Sequence, residues 1–401
     1  MVVQTKVDSF ESRLDPAGKK KLLALDGGGI LGVLSLEFLA RIEDTLRREL
    51  GKGPGFVLAD YFDYIAGTST GAIIATCLAL GMSVDQVSKF YRDQGRAMFE
   101  KGWFFERYYS RYRREKLEQM LKERIREATG EDESTLGTEK LRTLLMVVLR
   151  NATTDSPWPL SNNPGAMFND PALPDCNLKL PLWQLVRAST AAPTYFPPEE
   201  VQVGPRRFIF VDGGVTVFNN PALQLFVMAT VDAYRLNWHA GEDRMLVVSI
   251  GTGAAPNANA NLKPGDLNLL YNATSIPSAL MAAANAQQDM LCRIFGTCRH
   301  GAAIDMEVEG LMSGEPGHPL GQINLTIAGN GAPSPASRLF SYVRYNVDLT
   351  QDGLDELGLR HIRAQDVQQM DSVSHIEDLA EIGCAAAARD VSRDHFRGFL
   401  G

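Results

Sequence analysis

The sequence predicts an α/β fold with a mainly parallel central sheet, because strand patterns alternate with helical patterns along the chain. The apolar run Lys20–Leu25 is typical of a buried strand and leads into a glycine-rich segment at residues 26–32. Apolar residues then recur at three- and four-residue spacing, which indicates an amphipathic helix. A second unit repeats this order, with a strand over residues 61–66, a tight turn, and an apolar helix over residues 72–80.

Shorter patterns predict the other elements. Further strands are expected at residues 144–149, 208–211 and Met245–Ile250. Further helices are expected at residues 96–130, 182–191 and 220–234, and the chain is mostly helical after residue 335. Residues 155–176 are dense in Pro, Asn and Gly, which predicts a long surface loop that is a candidate lid.

Composition and the lack of recognisable targeting signals exclude several functional classes. The formal net charge of −8 argues against binding of nucleic-acid polymers. The first 20 residues lack the apolar core of a signal peptide, and the longest apolar run is too short to span a bilayer. The 5 cysteines and 6 histidines show no metal-ligand spacing, and the cysteines are expected to be reduced, mostly buried thiols. We therefore expect a soluble cytoplasmic protein.

The turn Gly67-Thr68-Ser69-Thr70-Gly71 matches the G-x-S-x-G nucleophile elbow. In such an elbow the serine lies on a sharp strand-to-helix turn, and flanking glycines let neighbouring backbone pass close by. Because the pattern here lies between an apolar strand and an apolar helix, it predicts a nucleophilic hydroxyl on Ser69.

Donors for an oxyanion are available in two segments. The backbone N–H of Thr70 follows the candidate nucleophile, and Gly27, Gly28 and Gly29 lie in an earlier strand-to-helix turn. The same glycines also fit a dinucleotide-binding fingerprint. The acidic residue that this fingerprint requires would here fall on a helix instead of at the end of the next strand.

A base for Ser69 is less evident from the residues alone. None of the histidines lies in an evident strand-end loop. Asp212 follows the predicted strand 208–211 and precedes Gly213 and Gly214, and strand ends of this kind collect active-site residues in α/β folds. This position makes Asp212 a candidate base, while an ordinary turn aspartate explains the pattern as well.

Three segments together resemble the patatin-like phospholipases, in the order and spacing of that family. They are Asp26-Gly-Gly-Gly-Ile-Leu-Gly32, Gly67-Thr-Ser-Thr-Gly71 and Asp212-Gly-Gly214. Residues 188–196 and Asn219-Asn-Pro221 are similar to family segments too. The resemblance covers residues 20–255 most securely. It implies a three-layer fold, with an arm at residues 1–19, a catalytic domain at 20–334 and a helical C-terminal extension at 335–401 packed on it.

The resemblance also implies the chemistry. Family members are lipid acyl hydrolases with a Ser-Asp dyad. Ser69 would be the nucleophile and Asp212 the base, with the glycine run lining the oxyanion hole, Gly67, Gly71, Gly213 and Gly214 supporting the turns, and no cofactor. The substrate would be membrane phospholipid, reached by transient peripheral contact at the inner membrane. Leu31 departs from the family, where Arg or Lys is frequent; this removes a cation but no backbone donor.

A basic stretch raises the question of regulation. Its arginines Arg107, Arg111, Arg113 and Arg114 are typical of a solvated helix face, and they are also a candidate anion site. Some bacterial patatin-like proteins are antiphage effectors that a cyclic dinucleotide activates, and the layout of this chain is similar. The expected partners are therefore phospholipid, a cyclic dinucleotide activator and a second copy of the chain in a homodimer. The alternative functions are an acyltransferase that uses the same Ser69 acyl-enzyme and a nucleotide-binding module.

Overall fold

A computed structural model gives the fold of most of the chain. It describes residues 10–99, 106–193, 195–255, 269–304 and 338–400, and of these only the backbone at residues 97, 106–114 and 269–278. Within these ranges one nine-stranded sheet lies between two hydrophobic cores, each covered by helices. The three-layer α/β fold predicted from the sequence is therefore confirmed.

Nine strands form the sheet within the described residues. They are β1 (Lys20–Leu25), β2 (Tyr64–Thr68), β3 (Leu144–Asn151), β4 (Ser156–Ser161), β5 (Glu199–Val203), β6 (Arg206–Asp212), β7 (Met245–Ile250), β8 (Thr297–His300) and β9 (Ser341–Tyr345). The order is β5-β6-β3-β2-β1-β7-β9-β8, with β4 paired to β3. The run from β3 to β8 is parallel, whereas β4, β5 and β6 pair antiparallel.

Helices surround this sheet. They are α1 (Phe10–Leu14), α2 (Gly32–Glu49), α3 (Thr70–Ala79), α4 (Val84–Phe99), α5 (Glu106–Thr129), α6 (Leu182–Ser189), α7 (Ala222–Thr230), α8 (Leu269–Phe295), α9 (Gln351–Glu356), α10 (Ala364–Val367) and α11 (Ile376–Asp390). Alternate residues of β1 face opposite cores, with Leu23 and Leu25 on one side and Leu22 and Ala24 on the other. Both faces of the parallel strands are thus buried, as their continuous apolar sequence requires.

Most predicted elements are found with small shifts at their ends. The strands at Lys20–Leu25 and Met245–Ile250 have the predicted bounds. The helix predicted over 96–130 corresponds to the end of α4 and all of α5, and residues 100–105 between them lie outside the described residues. The helix predicted over 220–234 is shorter, because α7 ends at Thr230 and a separate turn follows.

The prediction of a single loop over residues 155–176 is wrong in its first part. Ser156–Ser161 forms β4, which pairs antiparallel with β3 over its whole length. Pro157 and Pro159 concealed this strand in the sequence, because proline lacks the N–H that a sheet ladder needs. Only the later residues of the segment remain available as a surface loop.

Residues 338–400 are mostly helical, as predicted, but the first element in this described range is a strand that the sequence did not reveal. This strand is β9, which lies between β7 and β8 in the sheet. Further along the segment, α11 packs on α2, the helix that follows the glycine-rich turn. The C-terminal segment therefore builds part of the sheet as well as covering it.

The five cysteines are free thiols, and Cys77, Cys176 and Cys292 are buried, in line with the expectation of mostly buried thiols. In the part of the chain that the structure describes, no helix has both the length and the apolar character needed to cross a membrane.

Candidate active site

Ser69 lies in the turn between β2 and α3, at the carboxyl end of the parallel strands. Its φ of 54° and ψ of −122° are unusual for a residue with a side chain. A Cβ atom on Gly67 would lie 2.0 Å from the carbonyl oxygen of Gly71, and one on Gly71 would lie 2.3 Å from that of Leu25. Only glycines fit at these two positions, so the backbone forms the sharp turn that the sequence predicted.

A second serine fixes this turn in place. The Ser69 amide donates to Ser189 Oγ over 2.9 Å, and Ser189 Oγ in turn donates to the Val148 carbonyl over 2.6 Å. Ser189 ends α6 and Val148 lies in β3, so two more elements hold the elbow. The sequence alone did not indicate this role for Ser189. The one feature that could have suggested it is that Ser189 lies within residues 188–196, the segment similar to the family.

The side chains of Ser69 and Asp212 meet at this turn. Ser69 Oγ donates to Asp212 Oδ2 over 2.6 Å, although the two residues are 143 positions apart. Asp212 is the last residue of β6, and its other oxygen, Oδ1, accepts the Gly214 N–H over 2.6 Å. Gly213 allows the close approach of this turn to β3, because a Cβ there would lie 2.3 Å from the Val148 carbonyl oxygen.

The Asp212 carboxyl is only 3% exposed, and Ser69 is 9% exposed. Burial raises the pKa of Asp212 from its ordinary value of 3.8 to about 7, while the hydrogen bonds from Ser69 and Gly214 oppose this rise. No cation contributes to the shift among the described residues. A carboxyl group with this pKa is partly ionised at neutral pH, and it is a stronger proton acceptor than an ordinary aspartate.

The glycine-rich turn lies against the same site. The Gly27 N–H donates to the Asn219 carbonyl over 3.3 Å, so of the four predicted oxyanion donors this one is already engaged. The amides of Gly28 and Gly29 are not paired with any acceptor in the described part of the chain. Thr70 is the first residue of α3, where backbone N–H groups have no partner within the helix.

The base of the glycine turn is held by a buried ion pair. Arg344 of β9 contacts both carboxylate oxygens of Asp26, at 2.9 and 2.6 Å, and also donates to Ser249 Oγ over 2.7 Å. Burial alone would lower the pKa of Arg344, but the adjacent Asp26 carboxylate raises it above its usual range. The two charges therefore stabilise each other directly below the turn.

The structure also locates Leu31 and the four arginines of the basic stretch. Leu31, at the position where the family often carries a cation, is buried in the core. Arg107, Arg111, Arg113 and Arg114 belong to α5, but their side chains lie outside the described residues.

Apolar side chains are exposed near the dyad. Val217 is 49% exposed and lies between the Asp212 turn and Asn219. Leu280 of α8 is 65% exposed, and the next residue, Met281, reaches the site, because its Cε would lie 3.3 Å from a Cβ on Gly214. Exposed apolar side chains thus occur on two segments whose neighbouring residues border Ser69 and Asp212.

Sequence similarity to known proteins points to one family. The sequence model of the family described as patatin-like phospholipase matches residues 23–226. A cGAMP-activated phospholipase of Vibrio cholerae is 35% identical over 212 residues, which are 50% of this chain and 55% of that protein. Patatin-like protein 1 of Arabidopsis thaliana is 28% identical over 306 residues, which are 67% of this chain and 68% of that protein.

A further relative is the intracellular phospholipase A2 of Caenorhabditis elegans. It is 30% identical over 259 residues, which are 61% of this chain and 20% of that protein. The chain thus spans between a fifth and about two thirds of the length of these relatives. The family model covers half of the chain and includes both Ser69 and Asp212. The chain belongs to the patatin-like phospholipase family.

Proposed function

We propose that this chain is a lipid acyl hydrolase that cleaves fatty acyl esters of membrane phospholipids through a Ser69–Asp212 dyad. The observation that carries this proposal is the 2.6 Å hydrogen bond from Ser69 Oγ, on a strained strand-to-helix turn, to the buried Asp212 carboxylate. Nucleophilic catalysis requires a hydroxyl group within hydrogen-bond reach of a base. The relatives named as phospholipases support the lipid substrate.

The reaction would proceed in two steps. Ser69 Oγ attacks the ester carbonyl carbon while Asp212 accepts its proton, and the negative charge develops on the carbonyl oxygen. The N–H groups of Gly28, Gly29 and Thr70 would stabilise this oxygen, and each such donor is typically worth about 3 kcal/mol in the transition state. Asp212 then protonates the departing lysolipid oxygen. Water attacks the acyl-enzyme in the second step, which releases the fatty acid and returns the proton to Ser69.

The exposed apolar residues near the site support transient contact with a membrane. Val217 and Leu280 would contact acyl chains as a lipid moves from the bilayer toward Ser69. We expect the enzyme to act at the inner membrane surface through such transient peripheral contact. A second copy of the chain remains a candidate partner.

A cyclic dinucleotide is the candidate activator. The support for it is the Vibrio cholerae relative, which is named a cGAMP-activated phospholipase and is 35% identical over its matched region. The arginines Arg107, Arg111, Arg113 and Arg114 are the candidate site for the phosphates, because guanidinium groups bind phosphate oxygens in a bidentate manner. Such an enzyme would degrade membrane only when the nucleotide is present.

Fatty acid release from vesicles tests both parts of the proposal. Purified protein and its Ser69→Ala variant are incubated with phospholipid vesicles, with and without a panel of cyclic dinucleotides that includes cGAMP. The proposal predicts release by the wild type only, and only with one nucleotide. Release by the wild type without nucleotide would support the hydrolase and overturn the gating. Equal release by both proteins, or none under any condition, would contradict the Ser69 mechanism.

Substitutions in α5 then test the nucleotide site. Changing Arg107, Arg111, Arg113 and Arg114 to Gln is expected to abolish activation, whereas Arg126→Gln, an exposed arginine later in the same helix, leaves it intact. If both sets of variants respond to the nucleotide as the wild type does, the activator binds elsewhere.

A further inference from the structure

Asn219 is a buried residue beside the dyad for which the mechanism so far has no use. It is 1% exposed. Its carbonyl oxygen accepts the Gly27 N–H, and its side-chain Nδ2 donates to the Gly27 carbonyl over 3.4 Å and to Asn285 Oδ1 over 3.2 Å. The nitrogen of the amide group is thus held by two acceptors, one in the glycine turn and one on α8.

The other end of this amide group has no partner. Asn219 Oδ1 accepts no hydrogen bond from any group in the described part of the chain. A buried carbonyl oxygen without a donor typically costs about 1–3 kcal/mol, so such atoms are rare in folded proteins. Because Asn219 Oδ1 lies beside the reacting groups, it is free to accept a hydrogen bond from a donor that arrives with the reaction.

The glycines around Asn219 show where Oδ1 is directed. A Cβ atom on Gly214 would lie 2.9 Å from Asn219 Oδ1 and 3.0 Å from Asp212 Oδ1. A Cβ atom on Gly27 would lie 2.4 Å from Asn219 Oδ1 and 3.1 Å from the Cβ of Ser69. Asn219 Oδ1 and Asp212 Oδ1 therefore pack against the same face of Gly214, and Asn219 Oδ1 also packs against Gly27 on its Ser69 side.

A water molecule is the donor that this pair of acceptors suits, because it carries two O–H groups. We propose that Asn219 is a further catalytic residue, whose Oδ1 accepts one hydrogen bond from the water that hydrolyses the acyl-enzyme while Asp212 accepts the other. This inference rests on the proposed function, since it concerns the second step of the same reaction.

In this second step the water oxygen bonds to the acyl carbonyl carbon. The water proton that is hydrogen-bonded to Asp212 passes to that carboxylate. The bond between the carbonyl carbon and Ser69 Oγ then breaks, and the proton moves from Asp212 to Ser69 Oγ. Asn219 neither gains nor loses a proton; it fixes the direction from which the water attacks.

Acylation and deacylation kinetics separate this role from the alternatives. The full-length protein reacts with p-nitrophenyl butyrate in a stopped-flow instrument, where the burst of p-nitrophenol reports acylation and the later linear phase reports deacylation. Asn219→Ala should lose far more in deacylation than in acylation, so that the ratio of the deacylation rate to the acylation rate falls about 100-fold, the loss expected when a reactant is misplaced. Intact mass spectrometry of quenched samples should show the butyryl adduct accumulating in this variant.

Three controls make the result specific. Hydroxylamine, an external nucleophile that needs no position on Asn219, should release the adduct from the variant and the wild type equally fast. Asn169→Ala removes an equally buried asparagine away from the dyad and should leave the ratio of the two rates unchanged. Asn219→Ser should reproduce the deacylation defect and serves if the alanine variant does not fold.

Different results would overturn the role of Asn219 and the proposed function. Equal slowing of acylation and deacylation would overturn the proposal, because a third oxyanion donor or a purely structural role acts on both steps. Unchanged deacylation in both variants of Asn219 would overturn it too. Absence of any adduct in the wild type under single-turnover conditions would overturn the proposed function, and with it the role of Asn219.

Discussion

Two buried aspartates at the ends of two strands begin the same tripeptide, yet their surroundings differ. Asp26-Gly27-Gly28 follows β1 and Asp212-Gly213-Gly214 follows β6, and both carboxylates are almost fully buried. Burial raises the pKa of each one. At Asp26 the guanidinium of Arg344 opposes that rise, whereas at Asp212 only a hydroxyl and an amide do so.

This difference separates a structural carboxylate from a reactive one. Asp26 is paired with a cation in two hydrogen bonds, and this pairing favours its ionised form against the effect of burial. Asp212 has no such partner among the described residues, and its pKa of about 7 leaves it able to gain and lose a proton near neutral pH. The same tripeptide thus anchors one turn and, in the proposed mechanism, supplies the base at the other.

The largest expected effect is on activity. Ser69→Ala and Asp212→Asn should each lower kcat for ester hydrolysis about 10,000-fold, because nucleophile and base act as one unit. For the same reason, the double variant should be hardly slower than either single variant. Initial rates with p-nitrophenyl butyrate measure this. A double variant that is slower by the product of the two single losses would mean that the two residues act independently.

Next in size is the effect of the same substitution at the other aspartate. Asp26→Asn leaves the buried Arg344 without its counter-charge, so the free energy of unfolding should fall by about 3–5 kcal/mol. Urea denaturation measures the change. Asp44→Asn, which breaks an exposed pair with Arg47, is the matched control and should cost less than about 1 kcal/mol. Equal costs at both sites would contradict a structural role for the Asp26 pair.

At Asp212 the expected effect on stability is opposite in sign. Because burial raises its pKa from 3.8 to about 7, ionisation of Asp212 opposes folding progressively across that pH range. Asp212→Asn should therefore be more stable than the wild type above pH 7, by about 4 kcal/mol at most, with no difference below pH 3.8. Thermal unfolding at several pH values measures this, and a variant less stable at pH 8 would contradict the burial argument.

How much the sequence predicted depends on how far apart the interacting residues lie. The strand-turn-helix units at β1 and β2 were predictable, because long apolar runs and glycines occur together within about 20 residues. The edge strand β4 was concealed by its prolines. The strand β9 was missed because Arg344, a charged residue, interrupts its apolar pattern, and only the structure reveals its partner Asp26.

The candidate site shows the same limit. The motifs predicted Ser69, and the family resemblance selected Asp212 over an ordinary turn aspartate. The supporting contacts of Ser189 with the elbow and of Asn219 with the glycine turn join residues 120 and 192 positions apart. No local pattern reports such contacts, so their roles could come only from the three-dimensional arrangement.

The most direct test of the central claim, that the cation-free Asp212 is the base, is the pH dependence of kcat/KM. The wild-type value should rise with pH and level off above an inflection near pH 7, because the ionised carboxylate is the reactive form. The residual activity of Asp212→Asn should lack that inflection. A wild-type profile that is flat between about pH 5 and pH 8, or an inflection that survives in Asp212→Asn, would contradict the assignment of Asp212 as the base.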